Sequence, residues 1–198
     1  LSTFHVYGTN SGIVNEKTEL NPVNDYASTH LFAEYYVKQF FKTDKSPFVI
    51  FRLTNSYGAP KYINSGKWYL VLNDLVKLAY EKESITLKGN GKAKRDFIWM
   101  GDVCSVVEKS LDFKADKDNV FNLSSANSYS VLDLAKKVQA VYLKRYNKKI
   151  EIFVNKVDQS STLDLVVDNG KLQELVSFNF SDKFDQEINN IFDLLEKN

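Results

Sequence analysis

The sequence predicts an α/β fold with a parallel sheet, and three observations carry that reading. Short β-like runs alternate with amphipathic helical stretches. One run, Phe48-Val49-Ile50-Phe51-Arg52-Leu53, is almost continuously apolar, as a strand buried on both faces of a parallel sheet must be. The runs close in polar or glycine turns such as Asn55-Ser56-Tyr57-Gly58-Ala59-Pro60.

The elements follow in order. Leu1-Ser2-Thr3-Phe4-His5-Val6-Tyr7-Gly8 reads as a strand end entering a glycine turn. Asn21-Pro22 and Asn24-Asp25 mark a turn and a helix start. From Tyr26 to Phe41 the apolar residues Leu31, Phe32, Tyr35, Tyr36, Phe40 and Phe41 recur at helical spacing. The apolar strand opens after Pro47. A second helix is expected over Trp68 to Glu81, then a strand at Ile85-Thr86-Leu87, the loop Lys88-Gly89-Asn90-Gly91 and a β-like run Phe97-Ile98-Trp99-Met100. Asp102 is placed to cap a helix carrying Val103, Val106, Val107 and Leu111, with Cys104 among them as a small buried thiol. Val120 to Leu123 reads as a strand, Ser130 as the cap of a helix from Val131 to Tyr146, Ile150 to Val154 as a strand, and Ile188 to Leu195 as a closing helix. No repeat or Gly/Ser-rich linker divides the chain, so two domains would have to share elements.

Composition narrows the function classes. The chain of 198 residues is 43% hydrophobic and 14% aromatic, enough for a substantial core. Its 26 Lys+Arg against 25 Asp+Glu give no electrostatic reason to expect nucleic acid or a membrane surface. A single cysteine excludes an internal disulfide, and no apolar run approaches the roughly 20 residues of a spanning helix. The expectation is a soluble, cytoplasmic chain. Arg occurs only at Arg52, Arg95 and Arg145, and a planar guanidinium suits bidentate grip on carboxylate or phosphate.

Four segments can carry chemistry. The strand end at Thr3 and His5 would sit at the crevice where open α/β sheets bind ligands. Tyr26 and His30, four apart, share one helix face. A phenol is a weak acid near its free pKa of about 10, and a neighbouring cation favours the phenolate. The third segment is the polar strand end Arg52 to Pro60, and the fourth the basic loop Gly89-Asn90-Gly91-Lys92-Ala93-Lys94-Arg95-Asp96-Phe97. The only two histidines, His5 and His30, fall inside the first two segments. No His/Cys/Asp/Glu cluster has metal-ligand spacing.

In this order the segments resemble the extended short-chain dehydrogenase/reductases that act on nucleotide sugars, the NAD-dependent epimerase/dehydratase family. Thr3-Phe4-His5-Val6-Tyr7-Gly8 looks like its Ser/Thr-x-x-Val-Tyr-Gly. The match continues through Glu16, Pro22 and the Tyr26 helix to Arg52-Leu53-Thr54-Asn55-Ser56-Tyr57-Gly58-Ala59-Pro60. Gly89-Asn90-Gly91, Arg95-Asp96-Phe97-Ile98, Gly101-Asp102-Val103 and Phe121-Asn122-Leu123 follow, and the match weakens after Asp168-Asn169-Gly170-Lys171-Leu172.

The resemblance implies NAD- or NADP-dependent epimerisation or ketoreduction of a nucleotide-activated sugar for surface polysaccharide. The competing reading is a non-catalytic sugar-nucleotide-binding protein derived from the same fold. Thr3 would hydrogen-bond the substrate hydroxyl or keto oxygen, and Tyr26 would be the general acid/base. Tyr26 and His30 would touch the cofactor, and His5, Asn55 and Arg95 the sugar nucleotide, with Arg95 on its pyrophosphate. The architecture implied is the C-terminal part of a Rossmann-like sheet (residues 1–55) plus a smaller α/β substrate-binding region (56–198), with about 102–123 returning to the sheet. A homodimer through a helix pair that includes the Tyr26 helix is implied by analogy.

Three departures stand out. His30 replaces the Lys usually found four residues after the tyrosine. Phe4 and His5 stand where the sugar dehydratases carry an Asp-Glu pair, which favours epimerisation or keto reduction over loss of water. The glycine-rich turn that cradles the dinucleotide pyrophosphate is missing, so the expectation is a portion of a longer protein.

Overall fold

The computed structural model describes residues 1–44, 47–113, 119–155 and 164–197. The chain opens with β1 (Ser2–Thr3), a 3-10 turn (Phe4–Tyr7), β2 (Gly12–Val14), α1 (Asp25–Asp44), β3 (Ile50–Leu53) and β4 (Asn55–Tyr57). It continues with α2 (Val71–Lys82), β5 (Ser84–Thr86), β6 (Lys94–Trp99), α3 (Met100–Lys109), a second 3-10 turn (Ser110–Asp112), β7 (Val120–Leu123) and β8 (Ser128–Ser130). The remaining elements are α4 (Val131–Tyr146), β9 (Glu151–Phe153), β10 (Leu165–Val167), α5 (Gly170–Leu175) and α6 (Phe184–Glu196). The described chain is therefore α/β.

Two compact units form. The first holds Leu1–Ser56, Asp96–Ser128 and Asp164–Phe180, and the second holds Tyr57–Arg95 and the segments that begin at Tyr129 and Ser181. The return to the first unit thus covers Asp96–Ser128, wider than 102–123, and Asp164–Phe180 adds a further piece from within the 56–198 region.

In the first unit β1, β3 and β7 make a parallel sheet with β3 in the middle, Ser2 opposite Arg52 and Phe51 opposite Phe121. Parallel neighbours need a crossover, and α1 supplies the one between β1 and β3. Phe51, Phe121 and Leu123 of the sheet pack with Val103 and Val106 of α3 and Leu172 of α5. A smaller parallel pair, β2 with β10, covers a second cluster around Phe4, Val6, Tyr7 and Leu31.

Local chemistry explains where the elements differ from expectation. The segment after Thr3 coils into the 3-10 turn rather than a simple glycine turn, with the Thr3 hydroxyl oxygen capping it. Gly8 closes it at φ +66, where a Cβ would lie 1.8 Å from the Asn21 carbonyl oxygen, so only glycine fits. Asp102 is not the cap of α3. β6 runs extended through Trp99, which is the N-cap without a side-chain cap bond, and Asp102 sits inside the first turn. Cys104 is exposed, not buried. Val103 and Val106 point inward three residues apart, and one residue beyond Val103 the helix has turned by about 100°.

In the second unit α2, α4 and α6 pack on one another and bury Leu75, Val76, Val138, Tyr142, Ile188 and Phe192. Ser130 caps α4 as expected, in a reciprocal box with Asp133. β5 and β9 pair in parallel, Ile85 opposite Ile152.

Candidate active site

Tyr26 stands in the first turn of α1, a helix start secured by Asn24, whose Oδ1 accepts the Ala27 N–H at 2.9 Å. The buried stripe of α1 is Ala27, Leu31 and Glu34, which leaves Tyr26 56% exposed and His30 half-buried. The Tyr26 and His30 rings meet edge-on with centroids 4.6 Å apart. The exposed His5, on the 3-10 turn, approaches the same phenol with its ring centroid at 6.0 Å. Both histidines of the chain therefore flank Tyr26. Thr3 is buried, and its Oγ1 accepts the His5 backbone N–H at 3.3 Å. The ring contacts thus bring His5, Tyr26 and His30 together, while Thr3 on β1 caps the turn that carries His5.

The sequence reading missed a buried ionic network in the same unit. Arg52 on β3 grips Glu34 of α1 in a fork, Nε to Oε1 at 3.0 Å and Nη2 to Oε2 at 2.7 Å. Its Nη1 donates to the Tyr7 hydroxyl at 3.0 Å, which donates to Asn122 Oδ1 at 2.7 Å. Ser2 Oγ donates to Glu34 Oε1 at 2.6 Å. Burial alone would raise the Glu34 carboxyl, but the hydrogen bonds from Arg52 and Ser2 and the charges of Arg52 and Lys38 hold it below its ordinary value. The rarity of Arg was the available signal, and it pointed at Arg52 without naming the partner.

Asn55, half-buried at the start of β4, donates from Nδ2 to the Asp96 carbonyl at 3.0 Å. The Asp96 carboxylate organises this strand end. It accepts from Thr54 Oγ1 at 2.5 Å, the Ser125 N–H at 3.1 Å and Ser125 Oγ at 3.2 Å. Burial outweighs these bonds and pushes Asp96 up to about 6 from 3.8. The folded chain thus holds this proton more tightly than the unfolded one does. The resulting stabilisation is complete below about pH 4 and disappears as pH rises through about 6. Asp96→Asn keeps the acceptor for Thr54 and removes the titration. The variant is expected to gain about 3 kcal/mol on wild type between pH 4 and 7, measured by urea denaturation at each pH. A constant difference across that range would contradict it.

Arg95 belongs to the second unit and is exposed. With Tyr69, Leu75, Thr86, Lys88 and Gly91 it lines a cavity of about 580 Å³ between the start of α2 and the loop after β5. Gly91 has φ +72, and a Cβ there would meet Leu87 Cδ1 at 2.6 Å, so the loop folds tightly against the cavity wall. A partly apolar cavity of this size, with Lys88 and Arg95 against one carboxylate, Asp74, suits an anion joined to a flat ring. Among the described residues no group of three or more His, Cys, Asp or Glu could hold a metal ion. No described helix is long and apolar enough to cross a membrane.

A parallel sheet whose crossover helix opens with the Tyr26–His30 pair places the chain in the Rossmann class, and solved structures agree. UDP-glucuronic acid 4-epimerase from Bacillus cereus, in complex with UDP-glucuronic acid and NAD, matches 99% of this chain and 60% of its own at 23% identity and a TM-score of 0.75. RMD from Pseudomonas aeruginosa, complexed with NADPH, matches 100% of this chain and 65% of its own at 18% identity and a TM-score of 0.80. A dTDP-D-glucose 4,6-dehydratase of Dictyostelium discoideum is 30% identical over 152 residues, 70% of this chain but 33% of the dehydratase. The chain therefore spans about a third of that relative's length. The model of the NAD dependent epimerase/dehydratase family matches residues 1–124, and the chain belongs to that family.

Proposed function

We propose that this chain contributes the proton-handling and sugar-nucleotide-binding part of an NAD- or NADP-dependent enzyme that epimerises or ketoreduces a nucleotide-activated sugar. The observation that carries the reading is the Tyr26 phenol flanked by both histidines at the start of α1. The Tyr26 hydroxyl and the His30 ring suit the nicotinamide–ribose end of a dinucleotide, and both stand at accessible positions. The pyrophosphate end finds less: among the described residues no run of closely spaced glycines joins a strand to a helix. A nicotinamide held there would supply hydride transfer to and from the sugar carbon.

Tyr26 takes or returns the proton of the sugar oxygen, and the Thr3 hydroxyl holds that oxygen. His30, whose ring meets the phenol edge-on, orients Tyr26 for that exchange. Phe4 is buried in the apolar cluster and cannot serve as an acid, which supports epimerisation or keto reduction over dehydration. In the second unit Arg95 binds the pyrophosphate and the cavity wall takes the nucleoside. His5 and Asn55 contact the sugar nucleotide. The setting is the cytoplasm, and the product feeds surface polysaccharide.

A homodimer fits α1, whose residues Phe32, Tyr36 and Phe40 lie opposite its buried stripe and are each more than 60% exposed. Of the expected apolar face, Leu31 is the residue that α1 buries.

Arg95→Ala tests the substrate half. Losing a charge-assisted contact of about 1.5–3 kcal/mol should weaken UDP- or dTDP-hexose binding by about 10–100-fold in calorimetry on the full-length protein. Equal affinity in wild type and variant would remove Arg95 from the site. Tight binding with no turnover would favour the non-catalytic reading.

A further inference from the structure

Glu34 sits where the carriers of all the proposed proton-handling groups converge. On α1, Tyr26, His30 and Glu34 follow at four-residue intervals, and each step turns about 40° around the helix. The stripe passes from the 56% exposed Tyr26 through half-buried His30 to Glu34 at 2%. At its buried end Glu34 accepts from Ser2, the residue before Thr3 on β1, and from two arms of Arg52 on β3. The third arm of Arg52 reaches the Tyr7 hydroxyl, on the turn that carries His5. A cavity of about 90 Å³ is lined by Ser2, His30 and Glu34, so the imidazole has room to shift if the helix rolls.

A buried ion pair adds little net stability over packed apolar groups, but a fork on a carboxylate fixes orientation closely. We propose that Glu34 and Arg52 form a positioning clasp that sets the roll of α1 on the sheet and so holds Tyr26 and His30 in station beside Thr3 and His5. The clasp touches neither the sugar nor the cofactor, and its effect on turnover rests on the reading of Tyr26 given above. A misplacement on the scale of one ångström at a reacting group slows chemistry by about a hundredfold. Most of the proposed nucleotide grip lies elsewhere, in the Arg95 cavity, so KM should change little.

The experiment uses the full-length protein with Glu34→Gln, and with the double variant Glu34→Leu/Arg52→Met, which keeps the interior filled. It reads kcat and KM for a nucleotide sugar, together with amide hydrogen exchange along α1. The expected result in both variants is a fall in kcat of at least about tenfold with KM little changed, and faster exchange over residues 26–34 than in α6. Wild-type kcat together with wild-type exchange along α1 in either folded variant overturns the clasp. So does a fall in kcat that tracks the folded fraction and disappears under stabilising conditions. The two proposals separate through Tyr26→Phe. If that variant keeps full turnover while Glu34→Gln speeds exchange in α1, the clasp stands and the assignment of Tyr26 falls. If Tyr26→Phe abolishes turnover and Glu34→Gln changes neither kcat nor exchange, the clasp alone falls.

Discussion

Tyr26→Phe is expected to lower kcat of the full-length protein by about 10²–10⁴-fold, the usual contribution of a positioned acid/base group, while nucleotide-sugar affinity stays near wild type. The substitution removes one oxygen and leaves the ring that packs edge-on against His30. Tyr26 is 56% exposed, so no buried partner is orphaned and the fold should not suffer. The loss would therefore read on the chemical step: kcat and kcat/KM should fall together. Unchanged turnover would remove Tyr26 from the mechanism.

Arg52→Met is expected to produce the largest loss of stability, about 3–5 kcal/mol in equilibrium denaturation, because it leaves a buried carboxylate without its counter-charge. Glu34 and Arg52 are each 2% exposed, and their fork is the main compensation for taking both charges out of water. The Glu34 carboxyl lies below its ordinary value in the folded chain, so its contribution is present above the unfolded value near 4.5 and fades as pH falls through the folded one. The penalty of Arg52→Met should accordingly shrink on acidification, as protonation of Glu34 removes the stranded charge. A penalty below about 1 kcal/mol at neutral pH, the level of an ordinary surface ion pair, would contradict the buried fork.

Much of the framework was legible because the strongest signals are periodic. The apolar run ending in Leu53 suits a buried parallel strand, and β3 occupies the middle of its sheet. Ser130 before an apolar-periodic stretch marked α4, where cap chemistry and packing agree. The i,i+4 spacing of Tyr26 and His30 placed both rings on one face, a consequence of helical geometry alone.

What sequence could not convey is which face of a periodic element meets the core. The aromatic positions of α1 look like a buried stripe, yet Phe32, Tyr36 and Phe40 face away from the sheet and the inward stripe contains a glutamate. A buried Glu is legible only once its Arg is brought near, and Arg52 lies 18 residues further on. Cys104 failed for the same reason, since a valine-rich helix does not say where its narrow inward stripe begins. The raised Asp96 carboxyl depends on a pocket closed by Thr54 and Ser125, residues far apart in the chain.

The central claim is that Tyr26, held by the imidazole one helical turn beyond it, exchanges a proton with a sugar oxygen. The kcat of His30→Gln tests it most directly, because glutamine keeps hydrogen-bonding capacity but removes the ring that packs on the phenol. With the ring that meets Tyr26 edge-on gone, kcat should fall by about tenfold while nucleotide-sugar affinity stays near wild type. Wild-type kcat in His30→Gln would contradict the account.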